Sequence, residues 1–132
     1  MRNASNRLKG VGFAQAGNFY PDFLMWLIDR TENRQYLTFI DPKGLRNLSF
    51  DDPKLNFATE VKALQEQINQ DRADADRIVL NSVILSDTAR ENVVLLHGRL
   101  PEEYEVKNIF YMENKSGADS YLRKLFRAAR RE

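Results

Sequence analysis

The sequence predicts an α/β fold on a sheet that mixes antiparallel and parallel strands, and three observations predict it. Two apolar runs of strand length, 20–28 and 36–44, are separated only by Asp29-Arg30-Thr31-Glu32-Asn33. A short polar loop between such runs reads as a β-hairpin. Within 53–70, Leu55, Ala58, Val61, Leu64, Gln65 and Ile68 recur at helical spacing, which makes one helix face apolar. The β-branched run Ile78-Val79-Leu80-Asn81-Ser82-Val83-Ile84-Leu85 follows that helix, so it pairs parallel to an earlier strand by a right-handed crossover.

Residues 1–9 are polar and basic and read as a disordered or truncated lead-in, with 10–132 as one domain. Val11-Gly12-Phe13-Ala14 reads as a short first strand, and Gly17-Asn18 as the turn into the hairpin. Pro21 cannot donate to a ladder and belongs at the first positions of its strand. Phe23 to Ile28 is apolar on both faces, the pattern of a central strand covered by layers on both sides. Gly44 ends the second hairpin strand and 45–50 form a loop. Asp51 or Asp52 caps the helix over 53–70, with Pro53 in its first turn. Lys54, Glu60, Lys62, Glu66 and Asp71 fall on its solvated side. The acids of 71–76 lack the glycine and the final glutamate of a calcium loop.

After the parallel strand, Asp87 or Thr88 caps a short helix that ends at Gly98, with a strand at Val93-Val94-Leu95-Leu96 as the competing pattern. His97, the only histidine, reads as a helix-end group rather than a catalyst. Residues 101–105 form a connector and 106–112 a last strand, which brings the sheet to about five strands. Ser116-Gly117-Ala118-Asp119 opens a terminal helix with Leu122, Leu125, Phe126 and Ala129 as its buried stripe. Basic residues in its last turn suit the helix dipole. That suffices for Arg130 and Arg131, with phosphate contact as a secondary role.

Hydrophobic residues make up 42% and charged residues 30%, ordinary values for a globular chain with one real core. The net charge of +1 offers no global attraction to nucleic acid, so such binding needs a local patch. There is no cysteine, no apolar run near the ~20 residues of a membrane span and no signal-peptide core. A cytoplasmic location is expected.

The candidate site lies in the hairpin. Asp22 stands near the start of the first run and Asp41 near the end of the second, so antiparallel pairing brings the two acids to one end of the sheet. Residues two apart in a strand share a face. Asp41 and Lys43 therefore share one with Leu37 and Phe39, and Asp22 shares one with Leu24, Trp26 and Ile28. Acids at the edge of an apolar sheet need an ionic partner or a bound cation. At this level both an Asp–Lys salt bridge and a cation site are open.

At Pro21-Asp22 and Asp41-Pro42-Lys43 the chain resembles the PD-(D/E)xK nuclease superfamily. Asn18-Phe19-Tyr20-Pro21-Asp22-Phe23 and Phe39-Ile40-Asp41-Pro42-Lys43-Gly44 resemble the C-terminal nuclease domain of type III restriction endonuclease subunits and of related DEAD/DEAH-box helicase-like proteins. The likeness covers about residues 17–86, through Asn81-Ser82-Val83-Ile84-Leu85-Ser86. It implies a restriction-endonuclease-like mixed sheet flanked by helices, cut from the C-terminal part of a larger protein. It also implies a Mg²⁺-dependent (or Mn²⁺-dependent) DNA endonuclease. Asp22, Asp41 and the backbone carbonyl of Pro42 would ligate the metal, with Lys43 as the catalytic cation. Double-stranded DNA, the parent's helicase or translocase region and a modification subunit are the implied partners, with Arg46 and Lys54 as phosphate contacts. The chain itself has no GxxxxGK[ST] nucleotide loop. The segment before Val11 has no Asp or Glu, where the family often carries a glutamate. The alternative is an inactive module of the same fold that positions DNA or binds another subunit. A third possibility is a structural or oligomerisation domain in which Asp22 merely pairs with Lys43.

Overall fold

The two apolar runs pair as an antiparallel hairpin, β1 (Phe23–Asp29) on β2 (Arg34–Lys43), with Asp29 opposite Arg34. This computed structural model describes residues 21–46, 48–73, 76–117 and 120–132, so the strand expected at Val11–Ala14 lies outside the described residues. Asp29 Oδ1 shapes the turn by accepting the backbone N–H groups of Thr31 (2.9 Å) and Glu32 (3.3 Å). Asn33 closes it in the left-handed region at φ 56°, which asparagine tolerates better than most residues.

Next come a 3₁₀ turn (Pro53–Asn56) and helix α1 (Phe57–Asn69), then β3 (Ile78–Ser86), α2 (Arg90–His97), α3 (Pro101–Glu105), β4 (Ile109–Tyr111) and α4 (Tyr121–Ala129). The described strands form a mixed open sheet in the order β1-β2-β3-β4, flanked by helices. β3 runs parallel to β2, from Gln35 opposite Ile78 to Lys43 opposite Ser86, and β4 runs parallel to β3. Every residue of β3 is buried, as its unbroken apolar run requires. The expectation for Phe23–Ile28 needs correction. Among the described residues β1 is an edge strand, and Phe23 and Ile28 are 60% and 54% exposed. β2 and β3 take the interior positions instead. No helix among the described residues is long and apolar enough to cross a membrane.

Strand alternation assigns the two faces. Leu37, Phe39, Ile78 and Leu80 meet Phe57, Val61 and Leu64 of α1. Ile40, Val83, Leu85 and Phe110 point the other way and meet Leu125 and Ala128 of α4. Leu45, Leu55, Ile84, Val93, Tyr104 and Ile109 close the strand ends under α2 and α3. Each fully buried side chain of this kind contributes roughly 1.5–3 kcal/mol.

Asp52 is the cap of the 53–70 segment, its carboxylate accepting the Lys54 N–H at 2.9 Å, and Pro53 begins the turn. Lys62 departs from the solvated side expected for it. Its Nζ donates to Arg131 O at 2.8 Å and Gln65 Oε1 at 3.2 Å, and burial lowers its pKa to about 8.

The second half departs further. Residues 90–97 are helical, with Gly98 at φ 63° donating its N–H to Val94 O at 2.9 Å. Neither Asp87 nor Thr88 caps this helix. Ala89 holds the cap position, and Glu113 reaches across to accept the Arg90 N–H at 2.7 Å. The connector at 101–105 is helix α3, begun by Pro101 and braced by Glu103, which accepts the Leu100 N–H at 2.8 Å. That helix shortens the last strand to three residues, because Val106 and Lys107 belong to the turn and Asn108 reverses the chain at φ 61°. α4 starts from Ser120, whose side chain accepts the Arg123 N–H. Its inward stripe is Leu125, Ala128 and Ala129, while Leu122 and Phe126 are 47% and 45% exposed. The helix is thus turned by about one residue from the expected stripe.

Because β4 is short, the first part of β3 needs other partners on that side. Asn69 accepts from Ile78 N (2.9 Å) and donates to Ile78 O (2.7 Å). Gln65 Oε1 accepts from Leu80 N (2.9 Å), and Asn108 Nδ2 donates to Ser82 O (3.2 Å). Side chains here replace a strand, meeting the demand that buried backbone polar groups be paired.

Candidate metal centre

Strand period puts Asp41 and Lys43 on one face, and the two meet: Lys43 Nζ lies 2.8 Å from Asp41 Oδ2. Asp41 is buried, with 7% of its side chain accessible against 24% for Lys43. A buried carboxylate needs a charged or hydrogen-bonding partner, and the ammonium supplies one. The ion pair expected of a purely structural domain thus forms, but on Asp41 rather than Asp22.

The antiparallel ladder ends at Phe23 opposite Ile40. Continued one step, this register would set Asp22 opposite Asp41, but β1 begins only at Phe23. Asp22 itself sits in an exposed bend before β1. Pro42 is opposite Leu85 of β3, inside the parallel ladder. Its missing N–H costs nothing there, by alternation. Gln35 N donates to Arg77 O and Lys43 O accepts from Asp87 N, so odd-numbered residues of β2 bond toward β3. Pro42 therefore turns its backbone toward the β1 side, beyond the last β1–β2 pair, as a proline within a sheet must. Its carbonyl consequently faces the β1 side of the sheet.

Arg46 is exposed on the loop after β2, and Lys54 lies half-buried in the 3₁₀ turn. Neither joins an ion pair among the described residues. His97 is structural in its contacts: Nε2 lies 2.6 Å from Leu45 O, and its ring is 6.3 Å from that of Tyr104.

One neighbour was not legible as such. Asp87 and Thr88 clasp the end of β2: Asp87 N donates to Lys43 O at 3.3 Å, and Leu45 N donates to Thr88 Oγ1 at 2.9 Å. A Cβ at Gly44 would stand 3.0 Å from Asp87 Oδ1, so glycine permits this approach. Only the register of Lys43 with Ser86 reveals it.

Among the described residues, no group of three or more acidic, histidine or cysteine side chains is arranged to hold a metal ion. Asp22, Asp41 and the Pro42 carbonyl are hard oxygen donors, the kind Mg²⁺ prefers, and Mg²⁺ commonly uses only one or two protein carboxylates. The donor types fit such an ion. A scan against protein-family models, a search of curated proteins and a search of solved structures each gave no match.

Proposed function

We propose that the chain is a metal-dependent DNA endonuclease domain of the PD-(D/E)xK type, with a restriction-endonuclease-like fold. The observation that carries this is the buried Asp41 carboxylate with the Lys43 ammonium 2.8 Å away, at the hairpin end where Asp22 lies one residue before the last pair, Phe23 with Ile40. Asp22, Asp41 and the Pro42 carbonyl would hold Mg²⁺ or Mn²⁺. Such an ion, when bound, polarises a phosphoryl oxygen and lowers the pKa of a bound water. Lys43 holds a positive charge beside the phosphate as negative charge builds on its oxygens, and pre-positioned charge of this kind is often the largest catalytic contribution. It also orients the water whose oxygen bonds to phosphorus as the bond to the sugar oxygen breaks. Arg46 and Lys54 are accessible for phosphate contacts, which hold a duplex without reading its sequence. A helicase or translocase region and a modification subunit are the further partners of this reading.

A catalytically inactive module of the same fold is the second reading. Two observations favour it: Lys43 is bonded to Asp41 itself, and Asp22 stays in an exposed bend. There the ion pair locks the sheet end while the domain positions DNA or a subunit.

Cleavage of supercoiled plasmid in Mg²⁺ or Mn²⁺ separates the two, run on wild type, Asp41→Ala and Lys43→Ala with folding checked by circular dichroism. The nuclease reading expects wild-type cleavage that both variants lose. Equal cleavage by all three rejects it. A calorimetric Mn²⁺ titration that gives the same binding for wild type and Asp41→Ala removes the metal site.

A further inference from the structure

α4 lies between two hollows on the sheet face opposite α1. One, of about 390 Å³, is lined by Glu102, Glu105, Phe110, Lys124, Arg127 and Arg131. The other, of about 440 Å³, is lined by Leu27, Ile28, Asp29, Arg30, Tyr36 and Arg130. The acids in both are engaged. Arg90 takes Glu102 and Glu105 at 2.6 Å each, and Lys124 adds to Glu105 at 3.0 Å. Asp29 is committed to its own turn. Arg30, Arg127, Arg130 and Arg131 form no ion pair among the described residues, and Arg131 has only a 3.5 Å contact to Asn108 Oδ1. Four guanidiniums thus stand beside these hollows without an acidic partner among the described residues.

The fold also holds these groups in place. The buried Asn81 donates to Ala129 O and Arg131 O at 3.1 Å each, and Lys62 Nζ donates to Arg131 O at 2.8 Å. These bonds fix the chain just where α4 ends, and with it Arg130 and Arg131.

We propose that this face binds the sugar-phosphate backbone of nucleic acid through Arg30, Arg127, Arg130 and Arg131, apart from the Asp41–Lys43 end of the sheet. Uncommitted guanidiniums beside concave hollows suit phosphate, which they grip with paired N–H donors. A membrane surface suits the face less well. An interfacial helix offers a continuous apolar side to lipid, whereas α4 turns Leu125, Ala128 and Ala129 into the core and leaves only Leu122 and Phe126 half-exposed. The contacts carry no base readout, so binding is indifferent to sequence and strongly dependent on salt.

Fluorescence anisotropy with a labelled DNA duplex and the full chain, in EDTA, tests this. Four phosphate contacts give a slope of log K against log [salt] of about −3.6, a loss of roughly a hundredfold between 50 and 200 mM. Arg127→Ala/Arg130→Ala halves the slope. Arg127→Gln/Arg130→Gln does the same and serves if alanine disturbs α4. No binding at 50 mM salt, or an unchanged slope in the variants, overturns the proposal. So does capture by phosphatidylserine vesicles in preference to the duplex when the variants lose it. EDTA excludes cleavage, so failure here leaves the Asp41 reading untouched, and loss of the metal site leaves this one untouched.

Discussion

Lys43→Met is the substitution that speaks most directly to the Asp41 site, because it removes the charge and keeps much of the stem. The carboxylate left behind is 7% accessible and loses its ammonium at 2.8 Å. Breaking a buried pair costs about 3–5 kcal/mol. The 24% exposure of Lys43 places this one at the low end, about 3 kcal/mol. With a urea m-value of ~2 kcal/mol/M, the unfolding midpoint falls by ~1.5 M. The assay is urea unfolding by circular dichroism, in EDTA and then in about 10 mM Mg²⁺. If Asp41 ligates the ion with a Kd of ~1 mM, Mg²⁺ returns ~1.4 kcal/mol, or ~0.7 M of midpoint. A fall below ~0.3 M in EDTA would refute the claim that Lys43 holds Asp41. A full fall without recovery in Mg²⁺ would refute ligation by Asp41.

Two further outcomes are expected of the polar groups around β3. Asn69→Leu keeps the branching at Cγ but strips the Ile78 N–H and C=O of partners at 2.9 and 2.7 Å; about 2–4 kcal/mol is lost, seen as a drop of roughly 10 °C in calorimetric Tm, and an unchanged Tm would mean water replaces the amide. The folded-state pKa of Lys62, about 8 against an ordinary 10.5 because burial disfavours the charge, means the unfolded chain binds the proton more readily between those values. Stability from this group is therefore lowest below pH 8 and rises between pH 8 and 10.5. Urea midpoints against pH should rise more steeply for wild type than for Lys62→Met, and parallel curves would count against the burial of that ammonium.

How much was legible differs along the chain. The hairpin, the 53–70 helix and the parallel β3 each carry their pattern within one run of residues, and all three form. So does the shared face of Asp41 and Lys43, which depends only on strand period. The helix over 101–105 is not legible, because Glu103 closing on the Leu100 N–H is a local device that apolar periodicity does not register. The start of the last strand is hidden from the sequence in the same way, since the left-handed turn at Asn108 sets it. The stripe of α4 is ambiguous in the sequence because two interleaved apolar patterns fit Leu122 to Ala129, and only contact with Ile40, Val83 and Phe110 chooses between them.

Chain order and side-chain alternation were enough to determine an α/β sheet with a hairpin, a parallel crossover and a face shared by Asp41 and Lys43 on one strand. Which strands lie inside, that Asp87 clasps the end beside Gly44, that Asn69 and Gln65 finish the edge of β3, and that four arginines gather around α4 were decided only when distant segments met. The physical reason is range. Periodicity reports which way a side chain points within its own element, whereas register, burial and charge pairing depend on neighbours tens of residues away, whose positions follow from closing the whole core.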